Sequence, residues 1–161
     1  FIFILLCMTL TGSRIRPLQI DDYYNGYLNL LQQGFTITHS NISIEDFTRF
    51  VNDATKQTFI IEQISNHVPE TDIRIVASAT IIIEQKLIRN MGKVCHIEDV
   101  VVDKGSRGKG FGKHIIQHCV DMALHRKCYK CILNCDEDNV KFYEKCGSGF
   151  RCKGVEMVTY L

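Results

Sequence analysis

Apolar positions recur along this 161-residue chain with two periods. β-Branched residues dominate two long stretches, 73–84 and 94–102, and predict two long strands. Shorter stretches at 13–18, 59–61, 129–135 and 155–161 predict four more, the first with Pro17 near its end. Helical spacing marks four other segments. Asp21 can cap a helix running to about Gln33, with Tyr24, Tyr27, Leu28 and Leu31 on one face and Gly34 as its stop. Ser43-Ile44-Glu45-Asp46 has the form of a capping box and starts a helix to about Ala54 that buries Phe47, Phe50 and Val51. A helix from Phe111 to about Arg126 carries Ile115, Ile116, Cys119, Val120, Ala123 and Leu124 on one stripe. A short helix over 140–146 is closed by Gly147. Residues 65–72 form a loop by composition. There is no repeat, low-complexity tract or linker, so the pattern predicts one α+β domain over 1–161, built on a central mixed sheet.

Composition narrows the class. Hydrophobic residues make up 45% and charged residues 23%, an ordinary globular balance for one domain with a full core. Nineteen Lys plus Arg against eighteen Asp plus Glu leave a net charge of +1, without the basic excess of a protein that lives on phosphate backbones. No nucleic-acid partner is expected. The eight cysteines are Cys7, Cys95, Cys119, Cys128, Cys131, Cys135, Cys146 and Cys152. An even count suits disulfides, but the chain is large enough to hold a core without them, and several of these cysteines fall in apolar periodic segments. Reduced thiols in an intracellular compartment, the cytoplasm first, are the expectation, with organelle targeting left open. The opening Phe-Ile-Phe-Ile-Leu-Leu is far shorter than the roughly 20 apolar residues of a membrane span, and no basic segment precedes it. Residues 1–12 are therefore expected to be an apolar leader outside the fold, and no membrane span is expected.

The strongest local signal is Arg107-Gly108-Lys109-Gly110-Phe111-Gly112-Lys113, between a strand and an amphipathic helix. Glycines let backbone N–H groups approach a ligand, the helix N-terminus adds its dipole, and three cations add charge. The combination predicts an anion cradle suited to a pyrophosphate. It is not a P-loop: Arg107 stands five residues before Gly112 where glycine is required, and His114 follows Lys113. It is not a dinucleotide fingerprint either, because Lys113 occupies the third glycine position counted from Gly108. Glu98-Asp99 is an adjacent carboxylate pair in an apolar strand, where regular geometry would turn the two to opposite faces. It reads either as a structural ion pair or as part of a site. Tyr143 reads either as a core residue or as a proton donor. Cys128-x-x-Cys131 lacks a knuckle turn, and His114-Ile115-x-x-His118 lacks the glutamate of a zinc protease, so no metal is expected.

Arg107 to Gly112 fits the Arg/Gln-x-x-Gly-x-Gly/Ala loop of the GNAT acetyltransferase superfamily at every specified position, and Asn139-Val140-Lys141-Phe142-Tyr143-Glu144-Lys145-Cys146-Gly147 is similar to that family's Asn-x-x-x-Tyr-x-x-x-Gly helix. Within the superfamily, Ile81 to Lys86, His96 to Val102, Cys128-Tyr129-Lys130, Asn139 to Gly147 and Gly154-Val155-Glu156-Met157 resemble the glucosamine-6-phosphate N-acetyltransferases, closely over 81–157 and more weakly from Ile15-Arg16-Pro17 onward. The resemblance does not cover the first dozen residues. It implies a mostly antiparallel, twisted sheet flanked by about four helices and splayed at the 94–102 strand, where the thioester lies. It also implies direct acetyl transfer from acetyl-CoA to the amine of glucosamine 6-phosphate, toward UDP-N-acetylglucosamine, in a homodimer whose C-terminal strands reach toward each other's sites. Val100, Val101, Val102, Arg107, Gly108, Lys109, Gly110, Phe111, Gly112, Lys113, Asn139, Phe142, Tyr143 and Lys145 are then expected at the acetyl-CoA. Lys86, Arg89, Glu98, Asp99 and Asn134 are expected at the sugar, with Tyr143, Glu98, Asp99 and Asn134 in the chemistry. Two positions depart from the pattern. Asn134 stands where the family is usually acidic, which leaves it a backbone role only as a base. Val158-Thr159-Tyr160-Leu161 lacks the arginine expected against the sugar phosphate. An acetyltransferase for protein amines and a non-catalytic acyl-CoA-binding module are the alternatives; the charge balance weighs against the first, and intact Glu98-Asp99 and Tyr143 weigh against the second.

Overall fold

The β-branched stretches pair into one five-stranded sheet in sequential order in a computed structural model, which describes residues 12–38, 41–64 and 73–160. The strands are β1 (Ser13–Pro17), β2 (Lys56–Ile64), β3 (Ile73–Gln85), β4 (Lys93–Val102) and β5 (Cys128–Ile132). Successive pairs through β4 are antiparallel, and β5 lies parallel to β4. A parallel neighbour needs a crossover, which α3 (Phe111–His125) supplies. The other helices are α1 (Tyr27–Leu31), α2 (Ile44–Val51) and α4 (Glu137–Lys145). The opening apolar stretch, the 65–72 loop and Leu161 lie outside the described residues.

The sheet is covered on both faces, which is why its central strands read as continuous apolar runs. Phe59 and Ile61 of β2 turn toward α3 and pack with Ile115, Ile116 and Cys119, while Ile60 between them turns to Tyr27, Leu30 and Phe47 on the other face. Ser43 caps α2: its hydroxyl accepts the Asp46 N–H at 3.1 Å, and the Asp46 carboxylate accepts the Ser43 N–H in return. Where charge is buried it is paired. Arg16 donates to both oxygens of Asp22 at 2.7 Å and to Glu62 at 2.7 Å, joining β1, the turn after it and β2. The seven described cysteines are free thiols, and Cys95, Cys119 and Cys146 are buried. No helix among the described residues is long and apolar enough to cross a membrane.

Four expectations fail locally. The helix over 21–33 is instead a 3₁₀ turn, Ile20–Tyr23, followed by α1, because Gly26 takes a left-handed φ of 86° between them. Gln19 and Asp22 anchor that turn rather than Asp21; Tyr24 is exposed, and Leu30 is buried in its place. Leu124 falls off the buried stripe of α3 and is exposed. α4 begins three residues early, at Glu137, with Asp136 at its N-cap and acidic residues in the first turn that suit the helix dipole. Residues 155–160 pair with no strand and are exposed. An extended segment obtains its backbone hydrogen bonds from a neighbouring strand, and within this chain none of the described strands provides one.

Candidate active site

β4 and β5 pair only from Lys93 opposite Cys128 to His96 opposite Ile132. Beyond that point they part, and the edge of β4 from Ile97 to Val102 is left unpaired on this side. A cleft of ≈ 960 Å³ opens in the gap. β4 also carries a bulge here. Ser78 and Thr80 of β3, two residues apart, face Val101 and Glu98 of β4, three residues apart. The extra residue falls at Asp99, whose φ is 52°. Aspartate tolerates the left-handed region better than most residues. The bulge undoes strand alternation, so Glu98 and Asp99, which a regular strand would send to opposite faces, both line the cleft.

One end of the cleft is the glycine-rich turn. Gly108 and Gly110 have φ values of 77° and 88°, and Gly110 is the N-cap of α3 with no side-chain cap. The first N–H groups of α3 therefore keep no side-chain acceptor, and Arg107 and Lys113 stand beside them. Gly112 serves packing instead. A Cβ there would lie 2.9 Å from the Phe142 ring, so this glycine lets α4 close against α3. The approach to the turn is clamped. The buried Asp103 carboxylate accepts from Gln33 at 3.0 Å and from Arg74 at 2.6 Å, and Gln33 in turn accepts the Lys104 N–H at 2.7 Å.

The facing wall comes from the C-terminal third. Asn139, Phe142 and Tyr143 project from α4, Asn134, Cys135 and Asp136 from the segment before it, and Glu156 from the C-terminal segment. The Tyr143 ring packs edge-on against Phe142, 5.0 Å between centroids, and near Phe150. Burial pushes its hydroxyl up to about 12. Burial also holds the Glu98 carboxyl above the ordinary carboxylate range; the charges of Asp99 and Glu156 add to the effect, against the pull of His96.

The structure thus gathers Glu98, Asp99, Val100, Val101, Val102, Arg107, Gly108, Gly110, Phe111, Gly112, Lys113, Asn134, Asn139, Phe142 and Tyr143 around one space. Lys109 and Lys145, both exposed, do not line it. Lys86 and Arg89 lie at the opposite end of β4: Lys86 is ion-paired with Glu84, and Arg89 sits in a left-handed turn with its guanidinium 5.6 Å from the Tyr129 ring. Gly34, Phe35, Ile97, Ser106, Cys135, Asp136 and Glu156 also line the cleft, although the sequence did not single them out as site residues. Of these, Glu156 carried a signal, since it stands inside the Gly154–Met157 run. A smaller cleft of ≈ 450 Å³ between α2 and β2 contains none of the site residues. Among the described residues no group of three or more His, Cys, Asp or Glu side chains converges as a metal site would require.

Comparison with known proteins agrees with this geometry. The family described as "Acetyltransferase (GNAT) family" matches residues 24–148. Glucosamine 6-phosphate N-acetyltransferase 1 of Dictyostelium discoideum is 41% identical over 153 residues, covering 93% of this chain and 92% of that protein. The glucosamine 6-phosphate N-acetyltransferase of Candida albicans is 38% identical, covering 91% and 95%. The crystal structure of glucosamine-6-phosphate N-acetyltransferase from Arabidopsis thaliana superposes with a TM-score of 0.79 at 37% identity, covering 92% of this chain and 97% of that one. An acetyltransferase structure from Trypanosoma brucei gives a TM-score of 0.73 at 32% identity, with 92% and 99% covered.

Proposed function

The chain belongs to the acetyltransferase (GNAT) family, among the glucosamine 6-phosphate N-acetyltransferases, and from that premise we propose that it moves the acetyl group of acetyl-CoA directly onto the amine of glucosamine 6-phosphate. The observation that carries this reading is the cleft where β4 and β5 part. It combines an uncapped helix start flanked by cations, an unpaired strand edge, two carboxylates and a protonated phenol.

Each wall of the cleft contributes. The N–H groups at the start of α3, with Arg107 and Lys113, hold the pyrophosphate. The free edge of β4 over Val100–Val102 pairs with the pantetheine amides as a strand would, and one of its N–H groups polarises the thioester carbonyl. Asn139 holds the pantetheine arm from the other wall. Acetyl-CoA supplies an acyl group activated as a thioester. Glu98 and Asp99 receive the amine and the sugar hydroxyls. The amine must be neutral to attack, and Glu98, whose burial raises its affinity for a proton, is suited to take up the amine's proton through water. Tyr143 donates its hydroxyl proton toward the departing sulfur. The product, N-acetylglucosamine 6-phosphate, serves UDP-N-acetylglucosamine synthesis. The exposed C-terminal segment, with Val155, Met157 and Tyr160 each more than 90% exposed, supports a homodimer in which it finds its ladder partner on a second copy.

Initial velocities measured across a matrix of acetyl-CoA and glucosamine 6-phosphate concentrations test direct transfer. Intersecting double-reciprocal lines are expected, because both substrates must be bound together. Parallel lines would require an acetyl-enzyme. A second result follows from the helix start. In Gly110→Val, a β-branched side chain is forced into a left-handed backbone over the N–H groups that meet the pyrophosphate. Acetyl-CoA affinity by calorimetry should weaken at least tenfold, while the circular dichroism of the fold is kept. Unchanged binding by the folded variant would remove the pyrophosphate from this turn.

A further inference from the structure

The glycine-rich turn has little to hold it in shape from its own side. Gly108 and Gly110 take left-handed φ values, and a Cβ built on Gly108 would meet no described atom within 4 Å. Glycine has the greatest backbone freedom to lose. A loop that is free before its ligand arrives must be ordered at binding, and that cost comes out of the affinity. The chain fixes the residues just before the turn instead. The Asp103 N–H donates to the Val76 carbonyl at 2.9 Å, and the Ser106 N–H donates to the Asp103 carbonyl at 2.8 Å. Gln33 adds a link from 70 residues away. Its Nε2 donates to Oδ1 of Asp103 at 3.0 Å, and its Oε1 accepts the Lys104 N–H at 2.7 Å. Both ends of one amide are used, so its orientation is set and two consecutive residues are gripped together. The Asp103 side chain is only 3% exposed, which shields its bond to Gln33 from competing water. Gln33 is itself anchored. It follows α1, whose Tyr27, Leu28 and Leu30 are buried, and at its neighbour Gly34 a Cβ would stand 3.1 Å from the Val101 side chain of β4. One side chain therefore joins the packed end of α1 to the start of the anion turn.

We propose that Gln33 is a positioning residue for acetyl-CoA: its amide holds residues 103–104, so that the N–H groups of the following turn and of the first turn of α3 stand ready for the pyrophosphate. It touches no reacting atom and acts through the turn. The proposal rests on acetyl-CoA being the ligand of that turn.

Gln33→Met tests it, because methionine keeps the length of the side chain and makes neither hydrogen bond. The KM for acetyl-CoA is expected to rise about tenfold, and the calorimetric dissociation constant with it, since the ligand must now order the turn. kcat at saturating acetyl-CoA and the acceptor KM are expected to stay within twofold, because the thioester and the carboxylates are untouched. A merely structural Gln33 gives a different pattern: less folded protein, and so a lower apparent kcat at unchanged KM. That pattern, or an acetyl-CoA KM within twofold of the wild type, overturns the proposal. Gln33→Glu is the second variant should the first not fold. It keeps an acceptor for Lys104 but sets a carboxylate against Asp103, and the acetyl-CoA KM is expected to rise at least as far; an unchanged KM overturns the proposal here too. A wild type that shows no calorimetric binding of acetyl-CoA overturns the cofactor reading and this proposal with it. A wild type that binds acetyl-CoA, beside a Gln33→Met protein that binds it equally well, overturns the role of Gln33 alone.

Discussion

Tyr143→Phe is expected to lower kcat about a hundredfold and to leave the KM for acetyl-CoA within about twofold. The substitution keeps the ring that packs against Phe142 and Phe150 and removes only the hydroxyl. Positioned proton donors contribute roughly 10²–10⁴-fold, and a phenol pushed up to about 12 belongs at the low end. It is a weaker acid than the thiol it serves, so it stabilises the departing sulfur chiefly through its hydrogen bond. The same shift fixes the pH behaviour. A raised phenol keeps its proton as pH rises, so wild-type kcat should show no fall from Tyr143 below about pH 11. The ascending limb belongs to groups that must lose a proton, Glu98 and the substrate amine, and Glu98 places its part of that limb above the ordinary carboxylate range. A Tyr143→Phe kcat within twofold of the wild type, measured by thiol release, would reduce Tyr143 to a packing residue.

What could be read in the chain follows from the range of the interactions involved. β3 and β4 were legible because a strand covered on both faces needs apolar residues at consecutive positions, and theirs are β-branched. The start of α2 was legible because a capping box is complete within one helical turn. The anion turn was legible because its glycines and cations are contiguous. The bulge at Asp99 was not. It is set by where β3 pairs, well back along the chain, and aspartate at that site is not distinctive by type. It is nevertheless what brings Glu98 and Asp99 to one face. Glu156 joins the site through chain reversal after α4, which no local period encodes. Gly26 was visible inside the 21–33 segment, but glycine permits a left-handed φ without requiring it, so the break in the helix was not legible from its type alone. Residues 155–160 have the composition of a strand, and pairing, which composition cannot supply, decides whether they become one.

Glucosamine should be a worse acceptor than glucosamine 6-phosphate by two or more orders of magnitude in kcat/KM. The phosphate is the group that distinguishes the two sugars, and the relatives at 41% and 38% identity are named for the phosphorylated one. Charge-assisted hydrogen bonds to a phosphate contribute roughly 1.5–3 kcal/mol each, so losing two of them corresponds to a hundredfold or more. Phosphate discrimination is therefore the property that separates the proposed acceptor from its unphosphorylated counterpart.

One competition measurement addresses it directly. The protein is given acetyl-CoA with equal concentrations of glucosamine 6-phosphate, glucosamine and a lysine peptide in one tube, and the acetylated products are counted by mass spectrometry at early times. N-acetylglucosamine 6-phosphate is expected to exceed acetylglucosamine by at least a hundredfold, with no acetylated peptide above background. Equal acetylation of the two sugars, or preference for the peptide, would contradict the assignment of glucosamine 6-phosphate as the acceptor.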